Sequence, residues 1–509
     1  MEQYAHSWQR PPEPIREFVK EETADVVVIG AGIAGVVATH SAAEAGASVI
    51  CVEKFGKFTA HGTDVGSLNT KLHKRSGITI DPKRAARLMY AWGQQQSNYE
   101  LIRTYMERGH EALDRYIDLM EERGYVVTLN SDLTARADWD TLDERYQMFR
   151  SAHLFDVPEG SDLEHERWNV AYLVKEVGRA ARECGARFCF RTAARQLIRE
   201  GDRVTGVIVE DAEGFKKLNA TRGVIIATGG ITDNKEMIEC FCPVALRVDV
   251  VDNFPVGGNM GDGLVMGKWV GAAFSRCYPA PVIHPVNFTV LGPGMNSSWL
   301  TVNKFGKRFS NEIAYEPLVT NARMNAPGNV AYAVWDRNYA DHFQKQEPLK
   351  FAALTVDIDE GVEQAVREGK YLKADTLEAL AALMGVPADN LKATVARYNE
   401  LCDAGEDVDF GVPERFLSPV KEGPFYASKI SAYLLSLPYG LHVDANSQVC
   451  DEEDEPIGGL FAVGSAQGDF FANSYPVTVP GSNHGRSVCF GRLVGQALAK
   501  GERIDGSKL

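Results

Sequence analysis

Residues 24–54 read ADVVVIGAGIAGVVATHSAAEAGASVICVEK, and this stretch decides the fold. Asp25–Ile29 is a short apolar, β-branched run, the signature of a buried parallel strand. Gly30, Gly32 and Gly35 follow at the spacing G-x-G-x-x-G, with a helix predicted from about Ile33 to Glu44 and a second strand over Ala47–Glu53. Each glycine has a physical task. Gly30 permits the tight turn, Gly32 lets the backbone approach a pyrophosphate, and Gly35 lets the helix pack on the sheet. The helix N-terminus offers N–H groups and a partial positive charge to the phosphates. Glu53, 23 residues after Gly30, is placed to accept hydrogen bonds from ribose hydroxyls, and its charge disfavours a 2′-phosphate. Strand, loop, helix and acid in register predict a site for an adenine dinucleotide. Between FAD and NAD the loop alone does not choose.

Outward from this unit, 509 residues exceed what one core usually supports, so two or more lobes are expected. The composition, 45% apolar and 24% charged, is that of a globular protein. A formal net charge of −15 argues against nucleic acid or an anionic membrane as partner. No apolar run reaches the roughly 18–20 residues needed to span a bilayer. The most apolar stretch, Val26–Ala38, is broken by its glycines. The N-terminal sequence has neither a hydrophobic signal core nor a twin arginine, which predicts a cytoplasmic enzyme. The nine cysteines are scattered and odd in number, with no Cys-x-x-Cys. Reduced thiols are therefore expected, with no disulfide framework, no iron–sulfur cluster, no haem and no metal site.

Along the chain, residues 1–24 read as a polar, proline-bearing arm. Asp81 to about Arg123 carries apolar residues at helical spacing and predicts a helical excursion. Trp168–Cys184 predicts another helix, followed by strands over 187–192, 194–200 and 203–211 with a turn at Gly201-Asp202. A buried strand over Gly223–Ala227 ends in Thr228-Gly229-Gly230. From about 280 to 432 the texture changes to Pro, Asn and Tyr, with a helical block from Ala374 to Leu401. Strand–glycine–helix logic returns at Gly459–Gly464 and Gly481–Lys500.

Several stretches carry a family resemblance. RTAARQLI (191–198), GDRVTGVIVEDAEG (201–214) and RGVIIATGG (222–230) resemble the adenine-side strands and the Ala-Thr-Gly-Gly turn of FAD-dependent two-domain oxidoreductases. GLFAVGSAQGDFF (459–471) and PGSNHGRSVCFGRLVGQALA (480–499) resemble their flavin-closing strand and final helix. GDGLVMGKWVGAAF (261–274), VNKFGKRFSNE (302–312) and LKATVARYNELCDAGEDVDFG (391–411) keep the same order. The group is that of the fumarate reductases, urocanate reductases and 3-ketosteroid dehydrogenases.

The resemblance implies an α/β fold: a Rossmann-type FAD-binding domain, 25–280 plus 433–509, with an inserted α+β capping domain, 281–432, for substrate. It implies non-covalent FAD held by Gly30, Gly32, Ile33, Ala34, Gly35, Glu53, Lys54, Thr63, Gly66, Ser67, Ala194, Ala227, Thr228, Gly229, Asp262, Gly464, Ser465, Ser482 and Asn483. Ser465 stands where relatives often have Glu. His61 stands where some relatives attach FAD covalently, in an unlike local sequence, and is expected beside the pyrophosphate or flavin edge.

Fumarate reductases of this group clamp two carboxylates with arginine and histidine. By the resemblance, their cap arginine falls on Glu316, beside Tyr315, and their C-terminal arginine on Thr478. Their paired histidines fall on Leu435-Ser436-Leu437, and only His284-Pro285 is kept. A bare dicarboxylate would lose charge-assisted hydrogen bonds of about 1.5–3 kcal/mol each. The replacements bring aromatic surface and phenol donors: Tyr315, Tyr439 and Tyr475, with Gly481 where ketosteroid dehydrogenases meet a ketone oxygen. With His284 these are the candidate catalytic residues. The expected reaction is reduction of a C=C bond next to a carbonyl in an enone or aryl-enoate, with a tyrosine as proton donor. The same site run oxidatively would be a 3-ketosteroid dehydrogenase; a flavin-free binding protein is the alternative outside enzymology. The chain has no second nicotinamide fingerprint, so an external electron donor or acceptor is expected.

Overall fold

The computed structural model describes residues 6–129, 148–163, 165–166, 168–252, 254–284, 298–313, 316–346 and 357–508. The opening unit takes the expected form: a strand at Lys20–Ile29, a helix at Ile33–Glu44 and a strand at Val49–Glu53. Gly30 has φ +103°, and a Cβ there would lie 2.5 Å from the Ala227 carbonyl oxygen. At Gly35 a Cβ would lie 1.8 Å from the Gly30 carbonyl oxygen, so only glycine lets the helix cross the turn.

Among the described residues, an eight-stranded sheet holds the molecule together. Its parallel centre runs Arg187–Phe190, Val49–Glu53, Lys20–Ile29, Gly214–Ile226 and Pro456–Ala462. Val26, Val27 and Val28 are fully buried, as a strand covered on both faces requires. Ala193–Glu200 and Arg203–Asp211 extend the sheet as an antiparallel meander. The helix Ile33–Glu44 packs on the C-terminal helix Ser482–Lys500, where Gly491 and Gly495 bring the two backbones close.

Three expectations shift. The arm is shorter than 1–24, because Lys20–Ala24 already pairs with Lys216–Ala220, helped by a Glu21–Lys217 ion pair at 3.0 Å. The excursion from Asp81 is two helices, Pro82–Trp92 and Tyr99–Glu122. The second begins where the Asn98 side chain accepts the Glu100 and Leu101 N–H groups, a cap that the unbroken apolar periodicity hides. The block from Ala374 likewise splits into Leu377–Met384 and Ala388–Ala404, with Gly385 in the left-handed conformation ending the first.

Residues 298–429 contain a second, antiparallel sheet, ordered Leu300–Asn303, Ala331–Trp335, Phe425–Lys429, Leu372–Ala374. It has apolar clusters of its own: Trp299, Trp335, Tyr371 and Tyr426 in one, Leu380, Leu391, Val395 and Phe416 in another. Arg308 is a scaffold cation here, buried between Glu312 (2.6 Å) and Asp407 (2.7 Å). Val282–His284 pairs with Tyr433–Ser436, which on its other edge pairs with Val250–Val251. Arg323 fastens this junction, with Nη2 2.6 Å from Asp249 and Nε donating to the Ile430 carbonyl.

Candidate functional site

Four parallel strands end on one side of the sheet, at Ile29, Glu53, Ile226 and Ala462. A cavity of about 920 Å³ opens there. This is where open α/β sheets place ligands, because loops leave the strands in opposite directions and part.

At one end the wall is mostly backbone. Gly32 caps the helix Ile33–Glu44 without a side-chain partner, leaving its first N–H groups to a ligand. A Cβ on Gly32 would meet only the Thr59 carbonyl, at 3.8 Å, so this face of the loop is open. Glu53 is buried and held in place: Oε2 accepts the Ala31 N–H at 2.7 Å and Oε1 the Phe55 N–H at 2.9 Å. Each oxygen keeps a lone pair for a ribose hydroxyl. Lys54 Nζ donates to the Gly257 carbonyl and to Asp262, both at 2.7 Å. The Thr228 hydroxyl is buried with no protein partner, the sign of a polar group awaiting a ligand. An uncapped helix, an open glycine, a braced acid and an unmatched hydroxyl around one long cavity fit an adenine dinucleotide.

The other end is made of side chains from distant segments. Gly481, φ +76°, caps the C-terminal helix, again without a side-chain partner. Tyr475 lines the cavity while only 8% exposed. Its hydroxyl accepts the Asn483 N–H at 3.1 Å and lies 3.1 Å from Ser482 Oγ. Burial raises this phenol above its ordinary range, so it stays protonated near neutrality. His484 Nδ1 donates to the Asp64 carbonyl at 2.7 Å, and burial holds the ring below the usual histidine range. His61 Nε2 is 2.8 Å from Asp252, whose same oxygen receives the Tyr433 hydroxyl. Met148, Trp168, Phe254, Val282, Leu435 and Val477 complete an apolar wall. Among the described lining residues the Lys and Arg side chains are Lys54, paired with Asp262, and Arg195, paired with Glu210 at 2.8 Å.

Behind Tyr475 sits Arg486, which spacing alone did not single out. It is 1% exposed and has no carboxylate partner among the described residues. Instead Nη1 donates to the Gln467 carbonyl at 3.1 Å, Nε to Asn483 Oδ1 at 3.2 Å, and the cation lies 5.0 and 4.6 Å from the Phe470 and Phe471 ring centroids. Burial lowers it to about 9, still charged at neutral pH.

The cavity gathers most of the residues picked from sequence: Gly30, Gly32, Ile33, Ala34, Glu53, Lys54, Thr63, Ala194, Ala227, Thr228, Gly229, Asp262, Gly464, Ser465, Asn483, Tyr475, Gly481 and His284. Gly35, Gly66, Ser67 and Ser482 stand behind the lining; the Gly66 N–H donates to the Gly481 carbonyl and positions that turn. Tyr439 does not line this cavity. Gly440 runs tight against the Ala466 carbonyl, and Tyr439 packs on Phe241 and Phe274 at 4.7 and 6.1 Å, away from the main cavity. Thr478 is buried outside the lining, and its neighbour Val477 takes the wall position. Tyr315 lies outside the described residues, as does the Glu316 side chain. Sequence reasoning missed Met148, Trp168 and Phe254, and three residues of the arm, Trp8, Pro12 and Ile15. None carries a motif; a tryptophan in a polar arm was the one available signal.

A family model described as FAD binding domain matches residues 25–477. The chain is 26% identical over 500 residues to an NADH:acrylate oxidoreductase of Vibrio harveyi, covering 89% of this chain and 48% of that protein, so it spans about half of that relative's length. It is 28% identical to a 3-oxosteroid 1-dehydrogenase of Mycolicibacterium smegmatis, covering 95% and 98% of the two chains. Its structure resembles that of 3-ketosteroid-Δ4-(5α)-dehydrogenase from Rhodococcus jostii RHA1 in complex with 4-androstene-3,17-dione, with TM-score 0.74, 23% identity, and coverage of 95% and 98%. No helix among the described residues is long and apolar enough to cross a membrane.

Proposed function

Because the chain belongs to the FAD-binding domain family, with FAD as its cofactor, we propose that it is an oxidoreductase reducing the C=C bond of an enone or aryl-enoate. The observation that carries this proposal is the make-up of the substrate end. Six apolar residues and a buried phenol stand there, and the Lys and Arg side chains among the described lining residues, Lys54 and Arg195, are each paired with an acid. Such a wall suits a ring or alkyl body with one carbonyl, and gives a small dicarboxylate little to bind.

The residues divide the work. Gly32, Glu53 and Lys54 would hold the adenosine diphosphate half, and Ser465 and Asn483 the flavin half. When bound, FAD supplies hydride exchange with the substrate's β carbon. Met148 and Trp168 exclude water, and His284 orients the carbonyl. Tyr475 delivers the proton to the α carbon from its hydroxyl. The charge left on its oxygen is stabilised by the Asn483 N–H and, at longer range, by Arg486. Electrons come from an external donor.

The oxidative direction, dehydrogenation of a 3-oxosteroid, is the second proposal, favoured by the near end-to-end match to a steroid dehydrogenase. An anaerobic screen separates them. Dithionite-reduced protein is mixed with simple enones, aryl-enoates and fumarate, and oxidised protein with steroids and an artificial acceptor. We expect enones or aryl-enoates to reoxidise the protein at least about tenfold faster than fumarate. Brisk fumarate turnover sinks the first proposal; steroid oxidation without enone reduction selects the second.

A further inference from the structure

The arm before the first strand is not a loose tail. Trp8, Pro12 and Ile15 line the cavity, and residues 6–18 are fastened along their length. At the start, the Ser7 N–H donates to Glu236 at 2.8 Å, and the Trp8 carbonyl accepts from Trp269 Nε1 at 3.1 Å. Pro11, Pro12 and Pro14 stiffen the middle by fixing φ, which reduces the entropy lost on docking. At the end, Gln196 makes a reciprocal pair, accepting from the Ile15 N–H at 3.1 Å and donating to the Glu13 carbonyl at 2.7 Å. The Val19 N–H then donates to the Phe215 carbonyl at 2.8 Å and the sheet begins.

Trp8 is the anchor. It is only 8% exposed, packs on Phe241 and Phe274 at 5.6 and 5.4 Å, and lines the cavity. Its indole N–H is buried with no protein partner. A buried donor without an acceptor costs about 1–3 kcal/mol, and a ligand in the cavity offers the remedy. The end of the cavity concerned follows from the chain path. The Thr192 N–H donates to the Glu53 carbonyl, so Ala194, Gln196 and the strap that Gln196 holds lie on the ribose-acid side. The family match begins only at residue 25, past the whole strap.

We infer that residues 6–18 form a strap that closes the adenosine half of the FAD site, with the Trp8 indole N–H donating to an acceptor of the bound adenosine diphosphate. The inference rests on FAD being the cofactor. The strap adds binding surface after the dinucleotide has entered, and FAD leaves only when the strap lifts.

The test is calorimetric titration of flavin-stripped protein with FAD and with ADP, together with the rate at which holoprotein loses FAD on dilution. Trp8→Phe keeps the ring and removes the donor; both ligands should bind about 3- to 10-fold more weakly. Trp8→Ala also removes the anchor; FAD loss should quicken at least about tenfold, with the melting temperature checking that the fold is kept. Equal weakening for ADP and FAD places Trp8 on the adenosine half. Wild-type affinity for ADP in both variants overturns the strap, and so does weakening confined to FAD. Failure of the wild-type protein to bind FAD at all would instead overturn the cofactor on which the inference rests.

Discussion

At one end of the cavity the wall is a single loop of backbone, with Gly30 and Gly32 in the lining and Gly35 behind them. At the other, Met148, His284, Leu435 and Tyr475 arrive from four separate segments to form a wall of side chains. The first end is inseparable from the fold, since the loop that holds the open Gly32 also holds Gly35, which lets the helix cross the strand turn. The second is fitted onto a fold already complete. Substitutions should therefore have different consequences: loss of the fold at Gly35, and loss or change of chemistry at the other end.

The largest expected effect tests the first half of that contrast. In Gly35→Val the new Cβ would fall 1.8 Å from the Gly30 carbonyl oxygen and 2.9 Å from its carbon, atoms of backbone that have nowhere to go. A loss of about 3 kcal/mol or more is expected, read as little folded protein and no retained flavin absorbance. Gly32→Ala is the matched control. Its Cβ points into open space, so the melt should hold while FAD affinity falls about tenfold, the methyl occupying the phosphate's place. If Gly35→Val remains yellow and melts normally, the two ends do not differ as described.

Tyr475→Phe comes next and tests the second half. The ring stays, so FAD retention should remain within about twofold, while turnover falls about 10²-fold or more through loss of the proton donor. Stability should fall by about 1 kcal/mol, because the Asn483 N–H loses its acceptor. A rate within threefold of wild type removes Tyr475 from the chemistry.

The same contrast explains how much of the molecule is legible in its sequence. The dinucleotide end is written locally: Gly30, Gly32, Gly35 and Glu53 fall within 24 residues, Gly30 and Gly35 are too crowded for a Cβ, and Glu53 is hydrogen-bonded to the loop between them. The other end is written in positions that meet only after folding. Trp168 and Phe254 have no spacing relation to Tyr475, and each alone reads as an ordinary core aromatic. Tyr439 shows the converse. Its residue type suits a proton donor, yet its ring packs on Phe241 and Phe274 and does not line the cavity. The capping lobe was legible as a change of texture, and its helices by periodicity, whereas the breaks at Asn98 and Gly385 depend on caps that periodicity hides.

A smaller effect would sharpen the comparison. Val477→Arg puts a cation on the apolar wall, where Val477 is only 8% exposed. One new charge-assisted hydrogen bond to a carboxylate is worth about 1.5 kcal/mol, so the preference for fumarate over an enone should rise about tenfold, read from kcat/KM for the two substrates. No change in that ratio would mean that Val477 does not face the substrate.

The gentlest probe is pH, and it enters at the same end. His153 lies on the strand Ala152–Asp156, which pairs with Val65–Gly66, and the Gly66 N–H holds the Gly481 turn. Its Nδ1 donates to the Ser151 carbonyl at 2.8 Å, and Nε2 lies 2.8 Å from the Thr70 hydroxyl, so the neutral ring is satisfied where it sits. Burial pulls the imidazole down from 6.5 to about 3. Between those values the unfolded chain binds a proton that the folded one refuses, so stability falls as pH drops through that window and is unaffected by this group above it. The fall is at most about 1.4 kcal/mol per pH unit for one such proton. Melts from pH 7 to pH 4 should show the decline, and His153→Gln, which cannot titrate, should make it shallower. Flavin loss should accompany the decline before the central sheet unfolds, because the Gly481 turn rests on this strand while the Gly30 loop rests on the sheet. If His153→Gln leaves the slope unchanged, the acid sensitivity belongs elsewhere in the molecule.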